Sequence, residues 1–439
     1  MAAPSEAVLT PGSAFGVSLA TNNVLFLEEN VIVYPCGHSV VVYNAENNVQ
    51  LHLLPCSEQT TRVTALALSQ ASHSSSKRLL AVAEHGPGRG VVCIREFDGT
   101  KRTKRKKREL RSHDGAPFVS VAFSNDGKLV LTQGGAPQWQ LTLWSWEKAK
   151  VIASVRTTTE RDASVRRADF NPFDSSLICA SGVGLVKFFR VTESALRPML
   201  NTLVKQSAQN FTGHAWLPHG MMVATTDLGE IVLFNDCELA GEVTTAAEVG
   251  AIDSVVTTSK GFLISEEYGT VRIYQRVVDD EEEGEGGEGS GAAAAAAPHG
   301  GAAAASGDRY EERRIISPFE SGVPAPMKNM AISPAGDTVA VVCSDHQIYS
   351  LKLANAEFAA EDRVAFDLVT PSFHGPPRGA VEGGRTAITS VDSCVVRPLV
   401  ATCGSDRFVR VWNYEEKVVQ VMKQFDETPF CVAIHPSGS

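Results

Sequence analysis

One pattern recurs along the 439 residues and leaves few folds open: an alternating apolar run, a polar turn, a second apolar run, then a tight turn and a third. The stretches "FVSVAFSNDGKLVLTQG" (118–134), "VRRADFNPFDSSLICASG" (165–182), "MKNMAISPAGDTVAVVCS" (327–344) and "TAITSVDSCVVRPLVATCGS" (386–405) share its first half. The third run appears in "DLGEIVLFN" (227–235), "EYGTVRIYQ" (267–275), "SDHQIYSLK" (344–352) and "SDRFVRVWN" (405–413). Period-two alternation broken by Pro, Asp, Asn, Ser and Gly marks half-buried antiparallel strands. Asp227, Asp345 and Asp406 suit turns because a short carboxylate accepts from nearby backbone N–H groups, and Gly229 and Gly269 supply the positive φ of tight hairpins. The spacing predicts units starting near residues 24, 62, 117, 164, 210, 250, 326 and 386. A ninth would open with a strand and its turn in "PFCVAIHPSGS" (429–439).

Four-stranded units at this spacing pack radially as blades, which hides their strand edges. No amphipathic helix of ten or more residues interrupts them, so the fold class is all-β: a β-propeller of four-stranded antiparallel blades. Two closures fit the count. Seven blades close a ring near residue 370 and residues 371–439 begin a second propeller, or one larger ring uses further sequence. The first gives an N-terminal segment (1–22), a first propeller (23–370) and a truncated start of a second (371–439). A chain that stops mid-hairpin leaves a hydrophobic strand edge unpaired, which points to a piece of a longer protein.

"SDRFVRVWN" carries a family resemblance. Asp406 and Trp412 resemble the turn Asp and strand-c Trp of WD repeats, Thr402 matches the hydroxyl of strand b, and His374 stands where the family places a His, although the order here is "HG". The resemblance implies that His374, Thr402, Asp406 and Trp412 form a structural hydrogen-bonded tetrad; a buried indole N–H and imidazole need partners. Other units keep only parts of it, with Trp146, Phe189, Phe234, Tyr274 or Leu351 near the Trp position. The ordered set "NVIVYPCGHSVVVYN", "LTLWSWEKAKVIASVR", "NFTGHAWLPHGMMVATTDLGEIVLF", "RPLVATCGSDRFVRVWNYE" and "IHPSG" resembles the amino-terminal half of the cilia- and flagella-associated protein 57 family, with residues 279–307 departing from it. That resemblance implies an axonemal scaffold of motile cilia and flagella with two tandem WD-repeat propellers. It also implies a long coiled coil outside this sequence, able to support an oligomer, and a role in placing or regulating inner dynein arms beside neighbouring axonemal complexes.

Composition narrows the function classes. A 43% hydrophobic, 21% charged chain is an ordinary globular one. No apolar run approaches 18 residues, so no membrane span is expected, and the start "MAAPSEAVLTPGS" has no basic region of a secretory signal. Nine scattered cysteines without a CxxC pair read as buried small hydrophobes in a reducing compartment. No P-loop, GxSxG elbow, HExxH helix or EF-hand loop occurs, so no catalytic residue, metal site or cofactor is expected. His214 and His219 have a spacing that could suit a metal, and are read instead as a structural His and a turn His.

Against a formal charge of −10, "TKRTKRKKRELR" (100–111) concentrates Lys101, Arg102, Lys104, Arg105, Lys106, Lys107, Arg108 and Arg111. It falls in the c–d hairpin or early strand d of the second unit. The acidic, Gly- and Ala-rich insertion at 279–308 falls between strand c and a strand d at 313–319 of the sixth, and is expected to be disordered. Both then project from one face. The basic run is the candidate partner-binding element, with the acidic surface of tubulin in the doublet microtubule as the expected partner; its rival is a solvated hairpin whose charges guard a strand edge. A nuclear address is compatible with "KRTKRKKR". Nucleic acid is not expected, because no aromatic residue interleaves the run and no second basic stripe extends it. The alternative function is a nuclear or cytosolic WD-repeat adaptor such as a ubiquitin-ligase substrate receptor. The joint "TPSFHGPPRGAVEGGRT" (370–386) lies on the opposite face.

Overall fold

The computed structural model describes residues 14–19, 23–70, 77–98, 101–160, 162–199, 209–243, 249–277, 309–316, 326–353, 367–370, 374, 387–416 and 418–438. Its regular structure is almost wholly strand, in eight four-stranded antiparallel sheets. Blade 1 holds β1 (Leu25–Glu28), β2 (Val31–Cys36), β3 (Ser39–Asn44) and β4 (Val49–Pro55). Blade 2 holds β5 (Arg62–Leu68), β6 (Lys77–Gly86), β7 (Arg89–Asp98) and β8 (Lys101–Arg111). Blade 3 holds β9 (Phe118–Phe123), β10 (Leu129–Gly134), β11 (Gln140–Ser145) and β12 (Lys150–Arg156). Blade 4 holds β13 (Ser164–Phe170), β14 (Leu177–Val183), β15 (Leu185–Val191) and β16 (Leu196–Pro198). Blade 5 holds β17 (Phe211–Trp216), β18 (Met222–Thr226), β19 (Ile231–Asn235) and β20 (Glu238–Glu242). Blade 6 holds β21 (Ile252–Thr257), β22 (Gly261–Glu266), β23 (Val271–Val277) and β24 (Arg309–Ile316). Blade 7 holds β25 (Met327–Ile332), β26 (Thr338–Cys343), β27 (Ile348–Lys352) and β28 (Asp367–Thr370). The eighth sheet holds β29 (Ile388–Ser393), β30 (Leu399–Gly404), β31 (Phe408–Asn413) and β32 (Val418–Gln424).

The apolar residues say why these sheets assemble. Seven hydrophobic clusters lie one at each junction: Val33 and Val42 meet Leu66 and Val82 between blades 1 and 2, and Ile94 and Leu110 meet Val130 and Trp144 between blades 2 and 3. The series continues blade by blade to Leu263 and Val271 against Val341 and Leu351. The last cluster joins Val342 and Ile348 of blade 7 to Tyr34 and Val41 of blade 1, and β1 packs on both β5 and β25. Seven sheets therefore neighbour one another in a closed circle. None of the seven clusters includes a residue of the eighth sheet, whose inner strand β29 leaves Ile388 and Val391 exposed.

Closure also explains a departure from simple alternation. Strands a and d alternate, as in β13 and β12, but β14, β18 and β22 are buried along nearly their whole length. A strand b lies between two neighbouring blades and is covered on both faces, so it reads as a continuous apolar run.

Residues 14–19 run beside blade 1, where the Ser18 N–H donates to the Pro35 carbonyl at 2.8 Å and Cys36 Sγ to the Phe15 carbonyl at 3.1 Å. His346 Nδ1 of blade 7 lies 2.8 Å from the Val17 carbonyl, and the Phe15 ring sits 5.4 Å from that of Trp412 in the eighth sheet. This short segment thus touches the first, seventh and eighth sheets.

Two boundaries differ from the sequence expectations. Strand d of blade 6 starts at Arg309 rather than 313, because its pairing with β23 runs out to Val277↔Arg309. The ninth unit forms no strand: residues 428–435 lie along β29, the Thr389 hydroxyl donating to the Pro429 carbonyl at 2.6 Å and the Ile434 N–H to Asp392 Oδ2 at 2.8 Å. The insertion at 279–308 and most of the joint at 371–386 lie outside the described residues.

Candidate functional site

The basic run is a strand. β8 pairs with β7 along its length, placing Lys101 opposite Asp98, Lys104 opposite Glu96 and Lys106 opposite Arg95, with register shifts that absorb the extra residues. Arg102, Arg105 and Lys107 lie on the same strand. β8 is the outermost strand of its sheet, the position where lysines and arginines deter pairing with other chains. Strands β6 to β8 are also longer than those of other blades: Lys77, Arg78 and Leu79 pair with β7 beyond the last residue matched by β5. At about 3.3 Å per residue this three-stranded extension projects roughly 10 Å from the face that carries the a–b and c–d turns.

At the other end of β8 a cavity of about 480 Å³ opens between blades 2 and 3. Side chains at alternate positions of β11 (Gln140, Thr142, Trp144) turn toward blade 2, and β12 adds Val151 and Ser154. Thr142 and Ser154 hydroxyls lie 2.9 Å apart, and Gln140 Nε2 donates to Ser154 Oγ at 2.6 Å. Arg111, with 71% of its side chain exposed, closes the blade 2 side and donates to Glu109 at 2.9 Å. Arg108 Nε donates to the Glu147 carbonyl at 2.9 Å, in the turn leading to β12. Asp114 is turned onto the Ser112 hydroxyl at 2.6 Å and the Ala116 N–H at 3.0 Å, hydrogen bonds that hold its carboxyl below the ordinary value.

The four tetrad residues are brought together in the eighth sheet. The Trp412 indole N–H donates to Thr402 Oγ1 at 3.1 Å, Thr402 lies 2.9 Å from His374 Nε2, and His374 Nδ1 lies 2.8 Å from Asp406 Oδ1. His374 Nδ1 also lies 2.9 Å from Arg410 Nη1, a group that only donates, so Asp406 and Arg410 share that ring nitrogen. Arg410 donates to Asp406 Oδ2 at 2.6 Å. Burial pushes the Asp406 carboxyl up, but the hydrogen bonds from His374 and Arg410 outweigh it and hold it below its ordinary value.

A second network escaped the sequence reading. Asp169 Oδ1 accepts from His214 Nε2 and from the Trp216 indole, both at 2.9 Å, while Oδ2 accepts from Arg167 Nε at 2.8 Å. His214 Nδ1 lies 2.7 Å from Ser181 Oγ. The group ties blade 4 to blade 5. Burial would raise the Asp169 carboxyl, but His214, Arg167 and Trp216 hold it well below the carboxylate range. Its Ser, His and Asp are those of a hydrolase triad, yet Ser181 and His214 expose no surface, so no substrate reaches the hydroxyl. Both nitrogens of His214 are engaged, which leaves none for a metal; the side chain of His219, in a short 3-10 turn at Pro218–Gly220, lies outside the described residues. The signal available was the Gly213–His214 pair two residues before Trp216.

One position is corrected. The blade 3 counterpart of Trp412 is Trp144, not Trp146: Val130↔Trp144 matches Val400↔Trp412 in register, and the Trp144 indole donates to Thr132 Oγ1 at 2.8 Å as Trp412 does to Thr402. Trp146 donates instead to the Gly127 carbonyl of the a–b turn at 2.7 Å. Phe189, Phe234, Tyr274 and Leu351 hold the matching register in their blades. In blade 6, Arg272 bonds Glu266 and, at 2.8 Å, Glu312, to which the Tyr274 hydroxyl also reaches at 3.2 Å.

Comparison with known proteins bears on the fold and on the family resemblance. The WD domain, G-beta repeat family matches residues 375–413, which end on Asn413 of β31. Cilia- and flagella-associated protein 57 of Mus musculus is 26% identical over 95% of this chain and 34% of its own length. Cilia- and flagella-associated protein 57 A of Tetrahymena thermophila is 23% identical over 94% of this chain and 33% of its own. The chain thus spans about a third of the length of these relatives. Among solved structures, U3-55K aligns with a TM-score of 0.51 over 76% of this chain and 90% of that one, at 12% identity, a likeness of fold alone. The chain is thus a β-propeller protein that carries a WD-repeat match at residues 375–413 and, over nearly all of its length, resembles cilia- and flagella-associated protein 57.

Proposed function

We propose that this chain is part of a non-enzymatic scaffold of the axoneme in motile cilia and flagella, docking on the doublet microtubule and helping to place or regulate inner dynein arms. The observation that carries the reading is similarity to ciliary relatives across 94–95% of the chain, in blades as well as in the eighth sheet. The basic strand β8 supports the docking half of it. Eight basic residues on one projecting edge strand of an otherwise acidic chain are a positive element suited to tubulin's acidic surface. The eighth sheet is the first blade of a further propeller, with 387–438 supplying its opening. Catalysis is not part of the reading, since the one Ser–His–Asp set described is sealed between blades.

The test is made in ciliated cells lacking the protein. The full-length tagged protein should return to the axoneme and wash out with rising salt. A variant with Lys104, Arg105, Lys106, Lys107 and Arg108 changed to Gln should wash out at lower salt. A tagged protein that stays in the cell body, or in the nucleus, refutes the assignment.

A further inference from the structure

Charge alone would make β8 a diffuse polyanion grip, but the cavity beside it offers something more selective. It is bounded by Trp144 and Phe118 of the blade 2–3 core, with Thr142, Val151 and Ser154 on its blade 3 wall. Two exposed arginines of one strand flank it: Arg111 lines it, and Arg108 reaches the turn from which Val151 follows. They are three residues apart on β8, about 10 Å of strand. The volume, about 480 Å³, is of the size that accepts a small ligand or a large side chain.

We propose that the cleft between blades 2 and 3 binds an acidic segment of a partner protein through one aromatic or large apolar side chain. That side chain seats against Trp144, and acidic residues within about three positions of it meet Arg108 and Arg111. The inference rests on the reading of β8 as an acid-binding strand and adds an anchor that a featureless acidic surface lacks. Two observations fix the chemistry of the occupant. The cavity's apolar base asks for an uncharged anchor. The cations at its flanks ask for acids beside it: Arg108 donates to a backbone carbonyl, Arg111 shares the single Glu109 carboxylate with Arg89, and the nearby Asp114 carboxylate is turned onto Ser112 and Ala116.

The experiment measures fluorescence anisotropy with three labelled peptides: a Glu-rich one with a central Phe, the same with Ala, and a Lys-rich one with the Phe. Wild type should bind the Glu/Phe peptide roughly 10- to 100-fold tighter than the Glu/Ala one, the worth of burying one Phe. Val151→Trp, which fills the cavity from a half-exposed position, should erase that difference and keep weak, salt-sensitive binding of both. A photo-crosslinking residue in place of the Phe should label β11 or β12, an outcome independent of any variant's folding. Equal binding of the two Glu-rich peptides overturns the anchored cleft but leaves the acid-binding strand standing. Failure of both to bind overturns the cleft, and failure of microtubule binding alongside removes the reading beneath it. Tight binding of the Lys-rich peptide overturns the choice of an acidic partner.

Discussion

Replacing Asp169 probes the junction between blades 4 and 5 most sharply. Its carboxylate accepts three donors, from His214 and Trp216 at 2.9 Å and Arg167 at 2.8 Å. Asp169→Ala leaves the buried His214 and Trp216 N–H groups without an acceptor and strands part of the Arg167 charge. Unsatisfied buried donors cost about 1–3 kcal/mol each, and breaking a buried charge network by removing one partner about 3–5 kcal/mol. The expected loss is about 3–5 kcal/mol, a large share of a typical domain's stability. Asp169→Asn keeps one oxygen that can still accept from His214 and Trp216 but turns an NH2 toward the part-exposed Arg167, losing that charge and its hydrogen bond, so its expected loss is about 1–2 kcal/mol. The pH dependence follows the same carboxylate. Its folded value is depressed, so its contribution is present above the unfolded value of about 3.9 and is lost as pH falls toward the folded one. Urea midpoints read by Trp fluorescence at pH 7 and across the acid range test this. The Asn variant should lose less stability than wild type on acidification. A midpoint for Asp169→Ala within about 0.5 kcal/mol of wild type, or Ala and Asn variants of equal stability, would refute the reasoning.

Three further substitutions separate backbone crowding and tetrad chemistry from composition. Gly182→Ala sets a Cβ 1.9 Å from the Ser164 carbonyl oxygen and 2.8 Å from Val165 Cα, and should destabilise by about 2 kcal/mol or more, whereas Gly241→Ala meets nothing within 4 Å and should stay within about 0.5 kcal/mol; thermal melts compare them. Thr402→Val removes the acceptor of the Trp412 indole and the partner of His374 Nε2, and should cost about 1–3 kcal/mol, felt as faster proteolysis within 387–438 while the seven-blade ring keeps its protection.

What could be read from the residues was the repeat and its turns. The sheets open at Leu25, Arg62, Phe118, Ser164, Phe211, Ile252, Met327 and Ile388, each within two residues of the expected start. Long-range partnership was harder to see. Asp169 and His214 are 45 residues apart, on different blades, and neither sits in the motif that exposed Asp406 and Trp412. Trp144 and Trp146 are two residues apart and so share an alternation, and only the unbroken β10–β11 register shows that Trp144 meets the strand b hydroxyl while Trp146 lies past the end of β11; the c–d pairing shifts at Leu143/Trp144. The same shift recurs at Leu233/Phe234, Ile273/Tyr274 and Val411/Trp412, so it accompanies the bulky residue of strand c. The cavity beside β8 is invisible to any one-dimensional pattern, since its walls come from two blades.

Co-sedimentation tests the proposed docking of β8 on an acidic microtubule surface. Purified protein, wild type or with Lys104 to Arg108 changed to Gln, is spun with intact doublet microtubules and with doublets trimmed of their acidic tails. Salt is raised from about 50 to about 300 mM, across which screening shortens from more than 10 Å to less than 8 Å. Wild type is expected to pellet at low salt, to release steeply as salt rises, and to bind trimmed doublets less well. The neutralised variant should stay in the supernatant throughout. Equal pelleting of both proteins, or binding indifferent to salt, would contradict the account.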